Sequence, residues 1–273
     1  MSKTEFILII VVVSLIISNF LTYNSYSNIS QEYSELDEMY NKVIQEKNEL
    51  NESFQEFRND VFYRAEDNYT TVTIAYFTNF SQNQQIISLS VSYEKYDAYH
   101  KKHHPYWGEN NLTSAIEYIT SNETVINQIV ETIRNQTKSE EELANAILSF
   151  VQDKGGLSIR YYPTTELKYP IETLVEMGGD CDTHSFLYGT LMKAAGFKVL
   201  ILLSNETLSD GLFHAATAIH LKNPPQNSLS KYDDYSLFYN GEEYYYAETT
   251  HAHWRVGDLP PWVGNVTFNT VPI

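Results

Sequence analysis

The sequence predicts an α+β protein. Three observations lead there: an apolar N-terminal run followed by a long stretch of helical spacing, two β-branched segments around residues 70–93, and a second half in which one helix is followed by several strands. With 42% apolar and 14% aromatic residues the chain has the composition of a folding sequence. About 200 residues remain beyond the N-terminal segments, enough for one domain with its own core.

Phe6 to Leu21 reads FILIIVVVSLIISNFL and carries no charge. That is close to the minimum for crossing a hydrocarbon layer of roughly 30 Å. Lys3 precedes the run, and Glu32, Glu35, Asp37 and Glu38 follow before the next basic residue, Lys42. The positive-inside rule then places residues 1–5 in the cytoplasm, a single-pass anchor at 6–22 and the rest of the chain outside the cell. The competing reading is a cleaved signal peptide, but SNFLTYNSYSN after the run has no small-x-small cleavage site. Both readings export the domain.

From Tyr33 the seam runs Tyr33, Leu36, Tyr40, Val43, Lys47, Leu50, Phe54, Phe57 and Val61, alternating steps of three and four. This predicts a long amphipathic helix over 30–62, able to join a coiled-coil homodimer through residues 33–61 or to fold back on its own domain. Thr70–Phe77 and Ile86–Tyr93 read as strands around a polar turn. The run His100 to His104 (HKKHH) reads as a solvated loop, because zinc sites draw ligands from separated segments and no such constellation is legible around it. No metal or cofactor is expected.

Asn122–Arg134 reads as a helix, and Ser139 with Glu142 forms a capping box opening another to about Val151. Leu157–Tyr162 reads as a short strand. Thr173–Asp180 reads as a loop feeding a helix from about Cys181 to Ala195, closed by Gly196. Lys198–Leu203, His214–Leu221, Leu237–Tyr239 and Tyr244–Thr249 read as strands, the last two joined by the hairpin turn Asn240-Gly241. Residues 63–138 form the N-terminal part of the exported domain and 139–273 its core.

A net charge of −17 with only 18 Lys and Arg excludes nucleic acid as a partner. It describes a solvated acidic surface and biases a cleft toward cationic or neutral substrates. Nine Asn-x-Ser/Thr sequons occur, where chance placement gives about four, which suggests a glycoprotein; a bias toward Asn, Ser and Thr is the plainer reading. The one cysteine, Cys181, excludes an internal disulfide and leaves a free thiol in an exported protein.

Cys181 follows Gly178-Gly179-Asp180 at a helix start. Glycines there permit a tight approach and leave room beside the thiol. The helix N-terminus favours a thiolate and offers amides for an oxyanion. Asp180 and Asp182 oppose the thiolate, so an imidazolium is needed beside it. His184, His214, His220, His251 and His253 are the available bases. His214 opens a strand behind a loop and ranks first. His184 shares the helix face of Cys181 and ranks second. His220 sits six residues along the His214 strand, about 20 Å away. Glu248, in a tyrosine-rich strand, needs a partner and suits a histidine.

The run from Tyr169 to His184, YPIETLVEMGGDCDTH, resembles the nucleophile segment of the transglutaminase-like superfamily, in which Gly-Asp-Cys starts the central helix. His214-Ala-Ala-Thr-Ala-Ile resembles that family's histidine strand, and Tyr246-Ala-Glu-Thr-Thr its third strand. The order is the family's, with spacings of 33 and 34 residues, and the likeness spans roughly Glu140–Pro260. Archaeal membrane-anchored members look most similar. The resemblance implies a papain-like core, a nucleophile helix packed on an antiparallel sheet, and a Cys181–His214–Glu248 triad. It implies acyl transfer on amide bonds of a peptide or protein. Water as acceptor makes a peptidase or amidase, the favoured outcome, and an amine makes a protein-glutamine acyltransferase. Three departures stand out: Glu where Asp is commoner, Ala215 where an aromatic often follows the histidine, and no assignable oxyanion side chain beyond Tyr161 or Tyr162. The alternative is an inactive surface module used for binding or assembly.

Overall fold

The computed structural model describes residues 68–273, apart from 79, 81, 109, 209–210, 230–234 and 265, together with 39, 40, 42, 43 and 45. Those five N-terminal positions are helical. The remainder of the 30–62 segment and the anchor at 6–22 lie outside the described residues. Among the described residues no helix is long and apolar enough to cross a membrane. Two units separate at Glu66/Asp67, and everything that follows concerns the second.

β1 (Tyr69–Thr78) and β2 (Asn83–Ser92) pair antiparallel, with Val72 opposite Leu89 and Ile74 opposite Ile87. These four are buried, while Ser88 and Ser90 alternate outward, which is the period-two pattern of a half-buried hairpin. Tyr93 does not close β2. It opens α1 (Tyr93–His100), because Ser92 caps the helix by accepting from the Lys95 amide at 3.4 Å. His100 therefore ends a helix rather than starting a loop. His104 is partly buried with its Nε2 2.8 Å from Glu172 Oε2, so the reading of HKKHH as a solvated loop fails at both ends. The carboxylate lies about seventy residues away in sequence, out of reach of a local reading.

A 3₁₀ turn spans Leu112–Tyr118. α2 (Thr124–Arg134) buries Val125, Ile126, Ile129, Val130 and Ile133, spaced at one helical face. α3 (Glu140–Val151) starts at Ser139, whose hydroxyl accepts from the Glu142 amide at 3.1 Å; Glu142 reaches back to the Lys138 amide at 2.8 Å instead of closing the box on Ser139. It docks against β1, where Ser149 Oγ accepts from the Phe77 amide at 3.0 Å.

The expected strand Leu157–Tyr162 shrinks to β3 (Arg160–Tyr161), parallel to β4 (Gly178–Gly179). Between them, part of the segment read as a loop is a helix, α4 (Pro170–Glu176). Pro170 supplies the pre-set first turn, and Glu172 Oε2 accepts from the Tyr169 amide at 2.9 Å. α5 (Cys181–Ala194) follows at once, capped by Asp180, which accepts from the Thr183 amide at 3.3 Å.

The core sheet comprises β5 (Val199–Ser204), β6 (Ala215–Ile219), β7 (Ser236–Tyr239), β8 (Glu242–Ala247) and β9 (Phe268–Pro272), in the order β7-β8-β6-β5-β9 and antiparallel throughout. Asn240 and Gly241 turn β7 into β8 with φ of 50° and 82°, as a type I′ turn requires. One face of β5 and β6 (Ile201, Leu203, Ala215) packs with Phe186 of α5, Trp107, Tyr118 and Tyr169. The other face packs Leu200, Leu202, Ala216 and Ala218 with Tyr244 and Tyr246. Burial on both faces explains the continuous apolar run of β5.

Gly178 and Gly179 are required for close approach, not for an unusual φ. A Cβ on Gly178 would stand 2.7 Å from the Arg160 carbonyl oxygen, and one on Gly179 2.4 Å from Thr183 Cγ2. The space beside the glycines is filled by protein, contrary to the expectation that it is room for substrate. Gly178→Ala should separate β3 from β4 and cost about 1–3 kcal/mol, the usual penalty of overpacking. Urea denaturation measures this, and an unchanged midpoint would refute it.

Candidate active site

Antiparallel pairing sets the site. Thr217 lies opposite Ala247, so the residues before β6 and after β8 share one end of the sheet. His214 and Glu248 occupy those positions, and His214 Nε2 lies 2.9 Å from Glu248 Oε2. The Nε2–H donates to the carboxylate, which leaves Nδ1 as the nitrogen available to a thiol. The N-terminus of α5 reaches the same end. Cys181 and His214 line one cleft of about 550 Å³, with Asp180, Asp182, Tyr161 and Trp262. Cys181 packs against the cluster that holds Ala215, whose amide favours the thiolate. The helix thus meets the strand residue next to the histidine, and alanine there permits a close packing that a larger side chain would obstruct.

Glu248 is fully buried. Oε2 also accepts from the Tyr246 hydroxyl at 3.0 Å, and Oε1 accepts from the Thr250 amide at 3.0 Å and its hydroxyl at 2.5 Å. Burial pushes this carboxyl up, but His214 and the Thr250 donors outweigh it and hold Glu248 below the usual carboxylate range. Trp262 meets the His214 ring edge-on, with centroids 5.0 Å apart. It comes from the Pro260-Pro261-Trp262 loop, which has no periodicity to mark it.

The other histidines have different surroundings. His184 is buried with Nδ1 3.1 Å from the Thr249 carbonyl and Nε2 3.4 Å from that of Arg160. Burial lowers its pKa, and its ring ties β3 to the segment after β8. His220 Nδ1–H donates to the Glu243 carbonyl at 2.8 Å, beyond the far end of β6. His251 lines the cleft but bonds Thr250 Oγ1 at 2.7 Å. Tyr161 also lines the cleft, whereas the Tyr162 hydroxyl accepts from Lys168 at 2.7 Å.

No family model and no curated protein matches the chain. Solved structures give distant likenesses. Calcium-bound LapG of Legionella pneumophila has a TM-score of 0.33 at 13% identity, over 65% of this chain and 82% of that one. The EGTA-treated form of the same protein scores 0.28 at 13% identity, over 65% and 80%. A provisionally assigned cysteine protease from Cytophaga hutchinsonii scores 0.29 at 9% identity, over 76% of each chain.

The electrostatics at the thiol are adverse. Burial pushes the Cys181 thiol up, Asp182 adds to this, and Asp180 and Glu248 contribute further; the Ala215 amide opposes them. Asp182 itself is held well above the carboxylate range by burial and by its hydrogen bond and charge contact with Asp180. Its ionisation with rising pH puts a full charge beside the sulfur. Asp182→Asn should therefore raise the rate of Cys181 alkylation on the alkaline side by about tenfold, one pKa unit. The linkage has a defined sign. A raised carboxyl lends stability below its unfolded pKa of about 3.9 that is lost as pH rises through the folded pKa, so the Asn variant gains in relative stability from acid to neutral pH. Equal alkylation rates across the pH range would remove Asp182 from the account.

Proposed function

We propose that this chain is a papain-type thiol hydrolase of the transglutaminase-like kind, acting on peptide or amide bonds. The observation that carries the reading is the buried carboxylate on His214 Nε2, with His214 and the only cysteine in one cleft. Cys181 transfers its proton to His214 Nδ1, and the thiolate attacks the carbonyl carbon. The first-turn amides of α5 stabilise the oxyanion. The C–N bond then breaks, and the imidazolium gives its proton to the departing amine, leaving a thioester. His214 next deprotonates water, whose attack releases the acid and restores the thiol. An amine in place of water gives the protein-glutamine acyltransferase outcome.

The cleft wall includes Leu208, Leu212 and Phe213 beside the two aspartates, which suits an apolar residue near the scissile bond and a cationic or neutral one nearby. Incubation with a protein mixture distinguishes the products. New amino termini mean hydrolysis, isopeptide cross-links mean acyl transfer to amines, and neither product in the wild type would sink both. One observation favours the inactive-module reading: the adverse field at the thiol. An ordinary thiol reactivity, unaltered by His214→Ala, would decide for it.

An extracellular, membrane-anchored placement completes the proposal. The sequon residues Asn68, Asn111, Asn122, Asn135 and Asn205 are all exposed and open to a glycosyltransferase. A gel shift on deglycosylation of the natively expressed chain tests this, and no shift would count against it.

A further inference from the structure

α1 and α4 lie side by side. At their contact His100 Nδ1 is 3.2 Å from Glu172 Oε1 and 3.9 Å from Glu176 Oε1. These three ligand atoms all lie within 4.8 Å of one another. A first-row ion about 2.1 Å from each donor needs donors separated by about 3.0–3.4 Å, so the triangle closes on an ion with small side-chain adjustments. We propose that His100, Glu172 and Glu176 bind a divalent transition-metal ion of the zinc class.

Four features support a built site. First, Glu172 and Glu176 are one helical turn apart on α4, and Glu172 is only 2% exposed. Second, the supporting contacts are in place. Tyr96 donates to Glu176 Oε1 at 2.7 Å, Lys168 lies 2.8 Å from Glu176 Oε2, and the Tyr169 amide donates to Glu172 Oε2. Such outer contacts orient ligating carboxylates. Third, Tyr96 stacks on the His100 ring at 5.4 Å with 18° between planes, fixing the direction of Nδ1. Fourth, a cavity of about 430 Å³ opens on the cluster, bounded also by Tyr106 and Leu167, and gives an ion a path in and a free coordination position. His104, 2.8 Å from the second oxygen of Glu172, acts as fourth ligand or holds that carboxylate. Imidazole and carboxylate donors without thiolate favour zinc, cobalt or nickel over calcium or magnesium.

The ion would tie α1 to α4, the helix that passes the chain through Gly178 and Gly179 to the nucleophile. Metal-stripped full-length protein titrated with Co(II) tests the site. One Co(II) per chain should bind with visible ligand-field bands, be displaced by Zn(II), and raise the melting temperature. Cys181→Ala should leave these bands unchanged. His100→Ala should abolish them, and since this side chain is half-exposed the variant should fold. His104→Ala should weaken binding about 10–100-fold. Absence of Co(II) and Zn(II) binding, binding of calcium alone, undiminished affinity in His100→Ala, or bands lost in Cys181→Ala would each overturn the proposal.

Discussion

Cys181→Ala is expected to eliminate labelling by an electrophilic amide-mimic probe, and His214→Ala to lower turnover by about 10³-fold or more. The size of the second effect follows from the field at the thiol. Burial, Asp182, Asp180 and Glu248 all favour the neutral sulfur, and against them stands one backbone amide, from Ala215. A thiol so placed is a poor nucleophile unless a base beside it takes the proton and remains as the counter-charge. The two losses should not add, since Cys181 without His214 and His214 without Cys181 are equally idle. His251→Ala is the control: it lines the same cleft but reaches Glu248 only through the Thr250 hydroxyl, so its loss should cost far less. Second-order labelling rates and peptide turnover in the three variants decide the matter. A His214→Ala protein labelled at the wild-type rate would defeat the assignment, whatever the fold.

The candidate nucleophile stood out because its signal is local: two glycines, a capping aspartate and a cysteine at a helix start occupy four consecutive positions. His214 and Glu248 are harder, since their meeting depends on the register of β6 against β8, and only the tyrosine-rich context of Glu248 hinted at a partner. What escaped was non-local or too short for a period. α4 has seven residues, fewer than two full turns, so its apolar spacing could not be told from a loop, although Pro170 and Glu172 marked its first turn. β9 pairs with β5 from the far end of the chain. His100 and His104 of HKKHH looked solvated because their carboxylates belong to a helix beyond two intervening ones. Trp262 sits in a proline-flanked loop, where sequence offers composition but no direction.

Glu248→Gln should damage both stability and catalysis, and the two cannot be relieved together. The carboxylate has two oxygens, and each accepts from two donors: Oε2 from His214 and Tyr246, Oε1 from the amide and hydroxyl of Thr250. A glutamine has one oxygen and one NH₂. If the NH₂ takes the Oε1 position, it faces the Thr250 amide, and a buried donor without an acceptor costs about 1–3 kcal/mol. If it takes the Oε2 position, His214 must accept at Nε2, and the proton moves to Nδ1. Nδ1 then cannot receive the thiol proton, a wrong-tautomer loss of up to about 10⁴ in turnover. Glu248→Ala strips all four donors and should cost about 3–5 kcal/mol. The acid side gives a further check. Glu248 is held below the usual carboxylate range, so the stability it lends is complete above the unfolded carboxylate pKa and fades as pH falls through the lower folded value. The gap in unfolding free energy between wild type and Glu248→Gln should be largest near neutrality and shrink toward strong acid. Urea titrations at neutral and acid pH measure this gap, alongside turnover at neutral pH. A Gln variant with wild-type turnover and a pH-independent gap would mean that the carboxylate neither orients His214 nor carries charge in the fold.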